Sequence, residues 1–93
     1  MSKEEKFNDL IVEGISVISG LTEKSANEDF IERYEKMINE LENISYALKR
    51  NELYKNFSYL NIVKMLYHGD NEELHQVVNK INNYYMSNFY EDE

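Results

Sequence analysis

Cysteine is absent from this 93-residue chain. That excludes a disulfide framework, a thiolate metal site and a cysteine nucleophile. Proline and tryptophan are absent too, and there are only three glycines, so few positions break a helix by composition. Alanine is scarce, while Asn, Ile, Lys and Tyr are abundant, a usage common in AT-rich genomes such as those of many phages. No apolar run approaches the roughly 20 residues needed to span a bilayer. The opening Met-Ser-Lys-Glu-Glu-Lys-Phe is charged and has no apolar core. It is expected to be neither a signal peptide nor an anchor, which points to a cytoplasmic protein without a membrane partner.

Positive charge is also in short supply. Ten Lys and Arg face eighteen Asp and Glu, for a net charge of −8. Long-range repulsion from phosphates argues against direct binding of nucleic acid. The imbalance is uneven. Residues 1–48 carry five basic and eleven acidic side chains, and residues 65–93 carry Lys80 against six acids. Between them Lys49, Arg50, Lys55 and Lys64 face only Glu52.

What is present is a 3.6-residue apolar period, and no stretch alternates at period two long enough to be a strand. The chain reads as one all-α domain over 1–93: a small antiparallel helical bundle of four helices, at about 3–19, 27–50, 52–68 and 71–90. In the first, Ser2 and Glu5 form a capping box, and Phe7, Leu10, Ile11, Ile15 and Ile18 form the stripe. Gly14 lies on that stripe and suits a close helix crossing, and Gly20 is expected to end the helix. In the second, Ser25 with Glu28 is a capping box, with Asn27 as a competing cap. Its stripe runs from Phe30 and Ile31 through Tyr34, Met37, Ile38, Leu41 and Ile44 to Leu48.

The third segment starts weakly. Asn51 either caps it, or helix two runs on through it with a kink, giving three helices. Gly69 is expected to end it. The fourth opens on a capping box of Asp70 and Glu73 and buries Leu74, Val77, Val78, Ile81, Tyr84 or Tyr85, and Phe89. Glu91, Asp92 and Glu93 form a short acidic tail, expected to fray.

Catalytic chemistry finds little to work with. His68 and His75 flank Gly69-Asp70-Asn71-Glu72, one ending a helix and one opening the next, with no third ligand implied. A helix-end cation and a surface histidine account for them, and no metal or cofactor is expected. Neighbouring carboxylates such as Glu4–Glu5, Glu28–Asp29 and Glu72–Glu73 sit at helix starts, where they oppose the dipole rather than occupy a cleft. There is no Gly-rich phosphate loop and no Ser-His-Asp arrangement. The expectation is a protein that is not an enzyme.

Eight tyrosines are the unusual feature. Tyr34, Tyr67 and one of Tyr84 and Tyr85 fit a core, while Tyr46, Tyr54, Tyr59 and Tyr90 do not all fit buried faces. Tyrosine combines large area with a polar tip, and surfaces rich in it bind proteins. The cluster Tyr84, Tyr85, Phe89 and Tyr90 is the leading partner-binding candidate, joined by Tyr54 and Tyr59 in the basic segment. The function expected is regulation or inhibition of another protein, as by an inhibitor, antitoxin, immunity or phage-type accessory factor. A thin core and surplus tyrosines also suit a homodimer. Two alternatives stand beside it. Dense carboxylates could mimic nucleic acid and block a DNA- or RNA-binding enzyme, or a helical chaperone could escort a secreted effector.

Overall fold

The computed structural model describes residues 2–53 and 60–90. It shows a small all-α bundle of four helices: α1 (Lys3–Lys24), α2 (Glu28–Lys49), the single-turn α3 (Asn61–Lys64) and α4 (Glu72–Asn88). No strand occurs among the described residues. The acidic tail 91–93, together with Tyr54 and Tyr59, lies outside them.

Helix α1 starts where expected, with Ser2 Oγ accepting the Glu5 N–H at 3.1 Å. It does not stop at Gly20 but continues to Lys24. Gly20 keeps an ordinary negative φ, so it does not act as a left-handed terminator. Leu21 extends the apolar stripe one step beyond Ile18 and packs against the core, and Thr22 Oγ1 donates to Ile18 O at 2.9 Å. Burial of Leu21 outweighs the glycine's weak preference to end the helix.

Ser25 consequently belongs to the end of α1, its N–H reaching Thr22 O. The cap of α2 is the competitor, Asn27, whose Oδ1 accepts from Asp29 N at 2.9 Å and Phe30 N at 3.3 Å. At the far end Asn51 adopts φ 56°. Its N–H bonds Leu48 O at 3.2 Å and the Glu52 N–H bonds Ala47 O at 2.8 Å. This is a Schellman closure with asparagine in the left-handed position. It ends α2 outright, so Asn51 caps no third helix and α2 does not run on through a kink.

Of the third helix expected over 52–68, residues 54–59 lie outside the described residues, and the described part holds one helical turn, α3. Ile62 is the fully buried residue of that turn. Leu60 precedes it, buried, with its N–H donated to Asn82 Oδ1 of α4 at 2.8 Å. Helix α4 opens on Asn71, whose Oδ1 accepts from Glu73 N at 2.7 Å. Asp70 is one residue too early for that work and does something else.

Helix α1 is the central element, packing on both α2 and α4, while α3 bridges α2 and α4. Ser45 Oγ donates to Asn8 Oδ1 at 2.6 Å, which sets α2 antiparallel to α1. Lys3 Nζ reaches Asn88 O at 3.1 Å and Lys80 Nζ reaches Glu13 at 3.4 Å, which sets α4 antiparallel to α1 as well. Helices α2 and α4 therefore run parallel to each other. The core joins Phe7, Ile11 and Ile18 to Met37, Leu41, Ile62, Leu74, Val78, Ile81 and Tyr85, all with no exposed surface. Gly14 is buried where three elements meet. A Cβ there would lie 2.8 Å from Ile81 Cδ1 and 3.1 Å from Leu41 Cδ1. The close crossing uses the missing side chain.

Candidate functional site

The C-terminal aromatic cluster is largely spent on the fold. Tyr85 is fully buried and Phe89 is 4% exposed. Phe7 of α1 stacks on Tyr84 with ring centroids 5.9 Å apart and meets Phe89 at 4.9 Å. Lys3 Nζ lies 5.0 Å from the Phe89 ring centre, and Lys6 Nζ 5.8 Å from that of Tyr84. The Tyr84 hydroxyl donates to Lys3 O at 3.2 Å. These contacts seal the start of α1 against the end of α4. Tyr84 and Tyr90, both half-buried, are the members of the cluster that retain exposed area.

Tyr54 and Tyr59 lie outside the described residues, as does Lys55. Lys49 and Arg50 are exposed at the end of α2, where Arg50 pairs with Glu52 at 3.4 Å. Lys64 is exposed on α3. His68 is exposed, and His75 Nε2 donates to Tyr67 O at 2.9 Å. Among the described residues, no three or more His, Asp or Glu side chains converge as a metal site would require. No helix among them is long and apolar enough to cross a membrane.

A different aromatic group stands out at the other end of the bundle. Tyr67, which suits a core by composition, is 61% exposed, and Phe30, first of the α2 stripe, is 47% exposed. Between them sits Arg33. Its guanidinium carbon lies 4.6 Å from the Tyr67 ring centre, 5.1 Å from Tyr34 and 5.7 Å from Phe30. Three rings therefore surround one cation, the arrangement in which ring quadrupoles attract positive charge.

The charge of Arg33 is met from below. Nη1 donates to Asp70 Oδ2 at 3.0 Å and to Met65 O at 3.2 Å, and Nη2 donates to Asp70 Oδ1. Asp70 Oδ2 also accepts the Tyr67 N–H at 2.8 Å. The Arg33 and Asp70 side chains are 11% and 5% exposed. This is the work that takes Asp70 away from capping: a bidentate, mostly desolvated pair tying α2 to the turn ahead of α4. The turn is pinned again by Asp70 N donating to Tyr67 O at 3.1 Å. Tyr67 is thus exposed but rigidly carried, its backbone fixed on both sides.

Phe30, Arg33 and Tyr67 line a shallow surface depression with Asp29, Glu32 and Lys36. Sequence reading passed over the trio because Phe30 and Tyr67 lie in different helical segments and Arg33 looks like one more solvated cation. The available signal was Phe30-x-x-Arg33-Tyr34, which sets an arginine three and a tyrosine four residues after Phe30, both neighbours of its ring on the helix surface. A second depression, between the start of α1 and the end of α2, is lined by Glu4, Glu5, Asn8, Asp9, Leu48 and Lys49. Comparisons with protein-family models, with curated proteins and with solved structures gave no match.

Proposed function

We propose that this chain is a non-enzymatic protein that binds another protein stoichiometrically and thereby regulates or inhibits it. The observation that carries the reading is the exposed pair Phe30 and Tyr67, fixed around Arg33. The core is complete without them, since α1, α2 and α4 already bury their inner stripes. Large aromatics held outside a finished core, beside an arginine, are the residue types that dominate interface energetics. Their preorganisation also lowers the ordering cost of binding, because the Arg33–Asp70 pair already holds the turn that carries Tyr67.

The reading moves the working surface from the C-terminal cluster to the junction of α2 with the turn before α4. Tyr84 and Tyr90 become a secondary contact at most, because the cluster around them packs against Phe7. A carboxylate mimic of nucleic acid is the second reading, favoured by the grouping of Glu4, Glu5 and Asp9 round the depression beside Leu48.

The test is affinity capture from cells expressing the protein, run in parallel with wild type and the double variant Phe30→Ala/Tyr67→Ala. A protein retained by wild type in a defined stoichiometry and lost by the double variant supports the aromatic surface. Retention by both, with loss on substitution of Glu4, Glu5 and Asp9, supports the mimic instead.

A further inference from the structure

We infer that the Phe30–Tyr67 surface receives a cationic, Lys- or Arg-bearing segment of its protein partner, an inference that rests on the binding reading above. Charge complementarity selects the occupant. Residues 28–36, the part of α2 that carries Phe30, hold four carboxylates against two cations. Both cations are already matched within the chain: Arg33 by Asp70, and Lys36 by Glu32 at 3.4 Å. Residues 65–76, which carry Tyr67, hold Asp70, Glu72 and Glu73 and no Lys or Arg. Within these two stretches, the charges left after internal pairing are negative; Lys64, on α3, lies just ahead of the second. Glu28 and Asp29 lie beside Phe30, and Glu72 and Glu73 open the helix that follows the Tyr67 turn.

An apolar centre with an acidic surround selects an apolar centre with a basic surround. The rings supply contact area, and the carboxylates steer approach and reject acidic surfaces. A second copy of the chain is disfavoured as occupant, since it would bring the same acidic surround to the contact. The aliphatic stem of a Lys or Arg can lie along an exposed ring while its charged head reaches a carboxylate, so both halves of the surface are used together.

The experiment titrates the isotopically labelled full chain with a synthetic amphipathic helix of Leu and Lys, followed by nuclear magnetic resonance. A Leu/Glu helix and a Ser/Lys peptide are run alongside. The Leu/Lys helix is expected to shift the amides of residues 29–34 and 66–70 saturably. Phe30→Ala and Tyr67→Ala should each weaken it by about tenfold or more, while Tyr46→Ala, distant on α2, should not. Melting curves confirm that each variant is folded. Preference for the Leu/Glu helix at the same amides overturns the cationic partner and leaves the surface reading standing. Equal binding of Ser/Lys and Leu/Lys peptides, insensitive to both ring substitutions, also overturns it, because carboxylates alone would then be acting. If neither helix reaches these amides, or if sedimentation shows the chain self-associating through them, this inference and the surface reading fall together.

Discussion

Arg33 and Asp70 form a bidentate ion pair that joins the second turn of α2 to the turn ahead of α4. Neither side chain is spectacularly placed in the sequence, and each lies outside the apolar stripes. Together they fix the backbone of Tyr67 and hold a guanidinium among three rings. The pair is where the fold and the proposed working surface meet.

Removing one partner of a mostly desolvated pair leaves a buried charge without its counterion. Asp70→Asn should therefore destabilise the protein by about 3–5 kcal/mol. Replacing both members, as Arg33→Met with Asp70→Asn, should recover part of that loss, because no charge is then stranded. Denaturant unfolding of wild type, both single variants and the double variant measures the coupling. Additive losses would show that the two residues act independently.

The two helical glycines of α1 should respond in opposite ways. At Gly20 an added Cβ meets nothing within 4 Å, so Gly20→Ala should stabilise by about 0.5–1 kcal/mol through helix propensity. Gly14→Ala gains the same propensity but must displace the ends of Ile81 and Leu41, both fully buried. Overpacking of that kind costs about 1–3 kcal/mol, so Gly14→Ala should melt below Gly20→Ala and below wild type. Thermal melts of the two variants settle the comparison.

Tyr85→Ala should cost about 3–5 kcal/mol, as for any large aromatic removed from a full core. Tyr90→Ala should leave the melting temperature close to wild type. Tyr84→Ala falls between them, losing the Phe7 stack and the bond to Lys3 O, and should cost about 1–2 kcal/mol. Scanning calorimetry on the three variants orders them. A Tyr90 variant as damaged as the Tyr85 variant would contradict this division of labour.

Asn27→Ala should destabilise by about 1 kcal/mol, because it strands the Asp29 and Phe30 N–H groups. Ser25→Ala removes a bond accepted from the Asn27 N–H and a longer one donated to Asn27 O, both in an exposed turn, and should cost less. Urea unfolding of both distinguishes a cap at 27 from a cap at 25.

Several of these features were readable from residue order and several were not. The stripe of α2, with steps of three and four from Tyr34 to Ile44, determines both a helix and its inner face, and Tyr34, Met37, Leu41 and Ile44 are the buried residues. Gly14 could be read as a crossing point because it falls on the α1 stripe. Local signals of similar strength were harder to rank. Asn27 prevails over Ser25, and Asn71 does the capping expected of Asp70, because Ser25 and Asp70 each have another use: Ser25 as the end of α1, Asp70 as the counterion of Arg33. The surface trio was hidden for a different reason. Its members are joined by a contact across α2 and the α4 approach, and a 3.6-residue period carries no information about such a contact. By periodicity Phe30 looked like core, yet at the first turn of α2 it stands 47% exposed.

A paired measurement on Phe30→Ala/Tyr67→Ala tests whether Phe30 and Tyr67 are both spare to the fold and needed for binding. The double variant should melt within about 2 kcal/mol of wild type, losing little more than its ring contacts with Arg33, while affinity for the captured partner falls by about a hundredfold or more. Unchanged affinity in a folded double variant would contradict the account.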